Sequence, residues 1–63
     1  MIVHFLFGED DSILVAAAQV TAIRDTGNDL LVYLANGTQV RVRNNDYNRS
    51  AVALWQAYVE GQK

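Results

Sequence analysis

Sixty-three residues carrying seven acids, five lysines or arginines, one histidine and no cysteine make one small domain, residues 1–63, of net charge −2. The missing cysteines exclude a disulfide framework and a thiolate metal site, and a single histidine cannot build an imidazole one. A domain of this length buries only about 60% of the surface its unfolded chain exposes. With 51% of its residues hydrophobic, it has more apolar surface than interior in which to hide it, so a homo-oligomer is expected.

Ile2 to Phe7 is a β-branched and aromatic run closed by Gly8 and the acids Glu9, Asp10 and Asp11, which predicts a strand running into an exposed loop. The opening MIVHFLF lacks the basic region and small-residue cleavage site of a secretory leader and is expected to belong to the fold, with the cytoplasm as the expected location. His4 alternates with Ile2 and Leu6 and is read as a strand histidine at a sheet edge rather than an acid–base catalyst. The three acids lack the spacing of a calcium loop and are read as a solvated turn.

From Ser12 to Arg24 two readings compete. Ser12 can cap a helix that places Ile13, Ala16, Ala17, Val20 and Ile23 on one face, whereas the β-branched ILV and VTAI favour strands. The turn-forming Asp25-Thr26-Gly27-Asn28-Asp29 favours the second, two strands joined by a kink or short turn at Ala16 to Gln19. The longest uncharged apolar run, Ile13 to Ile23, falls well short of the about 20 residues of a membrane-spanning helix.

LLVYLANGTQVRVR reads as a hairpin around Asn36-Gly37. A two-residue turn would pair Ala35 with Thr38, Leu34 with Gln39, Tyr33 with Val40, Val32 with Arg41, Leu31 with Val42 and Leu30 with Arg43. Leu31, Tyr33, Ala35, Val40 and Val42 would then form a core face. Leu30, Val32 and Leu34 would lie beside Gln39, Arg41 and Arg43 on a mixed face suited to a barrel rim or a subunit interface. Arg41, Arg43 and Arg49, with Tyr47 and several asparagines nearby, form a candidate patch for an anionic ligand or nucleic acid. The competing reading is a strand edge protected by charge, and the acidic net charge disfavours nucleic acid as the main partner.

After Arg43, the polar NNDYN offers Asp46, Asn48 and Ser50 as N-caps for a helix to about Glu60, with Gly61 as its stop. Val52, Trp55 and Val59 stack at helical spacing, flanked by Ala51, Leu54 and Tyr58. Trp55 is expected at the centre of the packed face, with Tyr58 and Leu54 turned toward a neighbouring subunit.

The order of these features, ILV at 13 to 15, V-x-A-I at 20 to 23, a turn containing Gly and Asn, LLVYLANG, an alternating basic strand and a short helix, resembles the small flagellar and swarming motility proteins of the FlbD type. It is also similar to the first part of LytTR-type DNA-binding domains. The likeness covers most of the chain after residue 12. It implies a β-meander followed by a helix and supports the strand reading of residues 13–24. The chain is shorter than a complete LytTR domain and more acidic than a DNA binder, so no functional residue is carried over.

The expectation is therefore an α+β domain: an antiparallel meander of three to four strands with one C-terminal helix packed on one face. Its function is expected to be that of a non-enzymatic interaction module, a regulator, adaptor or inhibitor that binds itself and another protein. Leu30, Val32, Leu34 and Tyr58 are the candidate interface, with pairing through a strand edge as the other route to a homo-oligomer. No catalytic residue, cofactor or metal is expected; the alternative is an anion or nucleic-acid binder through Arg41, Arg43 and Arg49.

Overall fold

The computed structural model describes residues 1–62. The chain forms five antiparallel strands in two sheets, followed by one helix: β1 (Ile2–Phe7), β2 (Asp11–Ala16), β3 (Val20–Asp25), β4 (Asp29–Leu34), β5 (Gln39–Arg43) and α1 (Asp46–Gly61). The fold class is the α+β arrangement expected, with more strands than the three to four foreseen. β1 and β2 make a two-stranded sheet, and β3, β4 and β5 a three-stranded one in that order.

Strands, not a helix, occupy residues 11–25. A single 3-10 turn at Ala17–Gln19 separates β2 from β3, where the kink was expected. Three alanines do not make a helix here because the β-branched residues on either side pack as alternating faces, and packing overrides a weak local propensity. The turn is tied at both ends, by the Ala17 N–H donating to Met1 O at 2.9 Å and the Ala35 N–H donating to Gln19 O at 2.8 Å.

Pairing in the first hairpin is uninterrupted from Ile2 opposite Ala16 to Phe7 opposite Asp11. Val3, Phe5 and Val15 therefore face one way and are buried, while Ile2, His4 and Leu14 face the other. In the second sheet Leu30 pairs with Val42 and Val32 with Val40. The buried residues of both sheets join Val20, Ala17 and Ala51 in one core.

That register overturns the expected one. The loop is three residues long, Ala35-Asn36-Gly37: the Leu34 N–H donates to Thr38 O at 2.8 Å, and the Gly37 N–H to Leu34 O at 3.0 Å. Asn36 does not have positive φ, and Gly37 does, at +88°. This is a type I turn followed by a glycine bulge, not the two-residue turn with two left-handed residues. A shift of one residue moves each side chain to the opposite face. Leu30 and Val32, expected at a subunit interface, are 3% and 1% exposed inside the core. Leu34 and Tyr58 are half-buried against the same core. Leu31 and Tyr33 instead point outward with Gln39, Arg41 and Arg43, and Ala35 lies exposed in the turn.

The helix begins one residue earlier than any of the expected caps. Asn45 is the N-cap, its side chain accepting the Asn48 N–H at 2.8 Å. Gly61 lies within the last turn rather than beyond it. Ala51 is buried and Val52, Trp55, Tyr58 and Val59 are partly so, whereas Leu54 is exposed. Trp55 thus packs against the core as expected, although at the margin of it.

Candidate functional site

Asn48 is the polar residue on which the two sheets and the helix meet. It is fully buried. Its Oδ1 accepts the Leu6 N–H at 2.8 Å, and its Nδ2 donates to Leu6 O at 3.1 Å and to Arg43 O at 2.8 Å. One amide thereby occupies both main-chain groups of Leu6 on the side of β1 away from β2 and ties that edge to the end of β5. Asn44 makes a smaller tie of the same kind. Its Nδ2 donates to Asp25 Oδ1 at 3.1 Å and to Gly27 O at 2.9 Å, holding the β3–β4 turn against the end of β5. In NNDYN, expected to supply caps, two of the three asparagines are structural ties. The signal for Asn48 lies in its helical spacing from Ala51, Val52, Trp55 and Val59, a polar residue in an apolar stripe.

Of the exposed apolar residues, Ile2 and Leu14 lie on the outer face of the first hairpin and Leu54 on α1, whereas Phe7 alternates onto the opposite side of β1. Ile2, Leu14 and Leu54 are 60%, 69% and 61% exposed. Leu14 lies directly opposite His4, so their side chains share that face. A groove of about 210 Å³ between Ile2 and His4 of β1 and Tyr47, Ser50, Ala51 and Leu54 of α1 completes it. Tyr47 closes one end, sharing a 2.5 Å hydrogen bond with His4 Nδ1. The rings meet edge to face at 5.6 Å between centroids, a favoured aromatic geometry. His4 therefore has a positioning partner from the helix.

A second face is basic. Cross-strand pairing sets Arg24 opposite Leu31 and Leu31 opposite Arg41, and Arg43 lies two residues along on the same side. Tyr33 stands in the adjacent row between Ala22 and Gln39. The outer surface of the second sheet thus carries three arginines and a tyrosine. Arg41 approaches Asp29 at 3.9 Å, an exposed pair of small energetic value. The expected patch grouped Arg49 with Arg41 and Arg43 and omitted Arg24. Arg49 belongs to the first turn of the helix and pairs with Asp46, while Arg24 joins the face through a register that only the structure reveals.

A larger cleft, of about 440 Å³, opens where Phe7 and Ile13 of the first sheet meet Val40 of the second, with Asp11, Ser12, Gln39 and Arg41 at its rim. No group of three or more metal-ligating side chains is clustered among the described residues. No helix among them is long and apolar enough to cross a membrane.

No family model, curated protein or solved structure matches the chain. The two faces therefore stand on their own chemistry.

Proposed function

We propose that this protein is a non-enzymatic interaction module that assembles with copies of itself and docks on other proteins through the outer face of its first hairpin. The observation that carries this reading is the groove lined by Ile2, His4, Tyr47 and Leu54, with Leu14 opposite His4 on the same face, where Ile2, Leu14 and Leu54 are each more than half exposed. Contiguous exposed apolar surface is costly in water unless something covers it. The interface is therefore moved from the face of Leu30, Val32 and Leu34, which is core, to the opposite side of the other sheet. The cytoplasm is the proposed setting.

Absolute mass by light scattering across a hundredfold range of concentration tests self-assembly. Mass rising toward twice that of the chain is the expected result; a monomer at every concentration removes self-assembly from the proposal.

A second reading is favoured by the alignment of Arg24, Arg41 and Arg43 beside Tyr33 on an exposed sheet. Such a face can hold an anionic ligand or a single nucleic-acid strand, with arginines on phosphates and an aromatic ring for stacking. Retention on heparin or a single-stranded oligonucleotide that falls steeply with salt would favour it. No retention at low salt would remove it.

A further inference from the structure

We infer that the outer edge of β2 pairs with the same edge of a second copy, joining two hairpins into one four-stranded sheet in the order β1-β2-β2-β1 about a two-fold axis at Leu14. This inference rests on the self-assembly proposed above and specifies its seam.

Leu6 of β1 gives both its N–H and its C=O to Asn48, so both point away from β2. Main-chain direction alternates along an antiparallel strand. Ile2, His4 and Leu6, and their partners Ala16, Leu14 and Ser12, are therefore the pairs without mutual hydrogen bonds. Ser12, Leu14 and Ala16 turn their N–H and C=O groups to the outer side of β2, where no strand lies among the described residues.

Sheet edges in monomeric proteins are normally blunted by charge, bulges, proline or a covering element, and the other three edges here are. β1 is covered by Asn48 and the helix. β3 is broken by a bulge between Val20 and Ala22 and carries Arg24 and Asp25. β5 carries Arg41 and Arg43. From Ser12 to Ala16, β2 has no charge, no glycine and no bulge, and its middle residue is the exposed Leu14. An open edge of this kind accepts another strand.

Charge selects a second copy in one register. Parallel pairing would stack Glu9, Asp10 and Asp11 on their own equivalents, and like charges directly opposite are unfavourable. Antiparallel pairing centred on Leu14 joins outward-pointing residues to one another, Ser12 to Ala16 and Leu14 to Leu14 of the other copy. Asp11 then faces Ala17 and the acids separate to opposite ends of the seam. The outer faces also become continuous, so that Ile2, His4 and Leu14 of both copies line one floor. A seam of two six-residue strands is smaller than the about 800 Å² per partner of a standard interface, so a dissociation constant on the order of micromolar is expected.

The absence of cysteine supplies a clean test. In the inferred dimer the two Leu14 Cα atoms lie about 5.5 Å apart, within the range a disulfide spans. Leu14→Cys and Leu54→Cys replace two residues of similar exposure, and only the first lies on the axis. Under mild oxidation near the dissociation constant, Leu14→Cys should cross-link at least about tenfold faster than Leu54→Cys, because pairing raises the local thiol concentration. In the unmodified protein, amide exchange at Ser12, Leu14 and Ala16 should slow as concentration rises, while that at Val3 and Phe5 stays unchanged.

Self-association by mass, with equal cross-linking of the two variants and concentration-independent exchange at Ser12, Leu14 and Ala16, would overturn the seam and leave the proposed function standing. A monomer up to about 1 mM, a limit weaker than most specific association, would overturn the seam and the self-assembly on which it rests, leaving docking on other proteins standing. Protection of those amides only on addition of an extended apolar peptide would assign the edge to a foreign strand and likewise overturn self-pairing.

Discussion

At the scale of single residues, Asn48 is the side chain whose loss the fold can least absorb. Asn48→Ala leaves the Leu6 N–H, the Leu6 C=O and the Arg43 C=O without their partner in a partly buried site. Each buried group left without a partner costs about 1–3 kcal/mol. Partial entry of water sets the expected loss at about 3 kcal/mol, a large share of what a 63-residue domain possesses. Urea denaturation should show the midpoint falling sharply with little change in slope. Asn48→Asp separates the parts of the tie: it can still accept from Leu6 but presents a carboxylate to two carbonyl oxygens, and should be at least as damaging as alanine.

Trp55 makes a contrasting case. Its ring packs on the core, yet its indole Nε1 is enclosed without an acceptor. Trp55→Phe removes an unsatisfied donor together with part of the ring, and these effects oppose one another. It should change stability by less than about 1 kcal/mol. Trp55→Ala should cost about 2–4 kcal/mol, below the full loss for a wholly buried tryptophan because the residue lies at the core's margin. Thermal melts of the two variants check the difference. Among residues, the apolar stripe of the helix was legible because helical periodicity dictates it. The tie through Asn48 was not, because its partners lie 42 residues away in β1 and 5 residues away in β5.

At the scale of elements, the second hairpin shows how a correct turn signal can lead to a wrong register. Asn36-Gly37 marks a two-residue turn and a three-residue turn with a glycine bulge alike, since both place glycine in the left-handed region. The strands themselves held the discriminating fact. The observed register puts Leu30 and Val32 with Val40 and Val42 on one side, and the arginines with Tyr33 on the other. The two-residue count mixed leucines with arginines, a pattern that buries charge or exposes grease on at least one face. Gly37→Ala forces a side chain into φ +88° and should cost about 1 kcal/mol. Asn45→Ala removes the helix cap and should cost about 1 kcal/mol as well. Because the two sites are independent, denaturation of the double variant should give the sum of the single losses to within about 0.5 kcal/mol. The two strands within residues 11–25 were legible only in part: their β-branched residues and the following turn signal pointed to strands, while Ser12 and three alanines pointed to a helix.

At the scale of the whole molecule, two sheets divide two surfaces between them, apolar outside the first and basic outside the second. Arg41→Ala with Arg43→Ala should leave stability within about 0.5 kcal/mol, since exposed charges contribute little to folding. Any loss of heparin retention in that variant would then report binding rather than unfolding, as circular dichroism at matched temperature would verify. Composition did foretell that apolar residues would outnumber interior places. It could not say which ones would be left outside, because that division follows from register, and register here turns on a single residue in one loop.

The tie made by Asn48 also bears on the order in which the chain can acquire its shape. β1 is made first, and Leu6 on its outer edge finds its partner only in a residue near the start of the helix. Until that residue arrives, Leu6 and Arg43 keep their backbone groups hydrated and the two sheets have no polar link. Closing so long a loop before any reward slows folding more than it lowers stability. The helix is therefore expected to dock late, with the Asn48 tie completing the packing of the two sheets. Refolding followed by the fluorescence of the lone tryptophan, which sits on that helix, should give a single late phase rather than an early one.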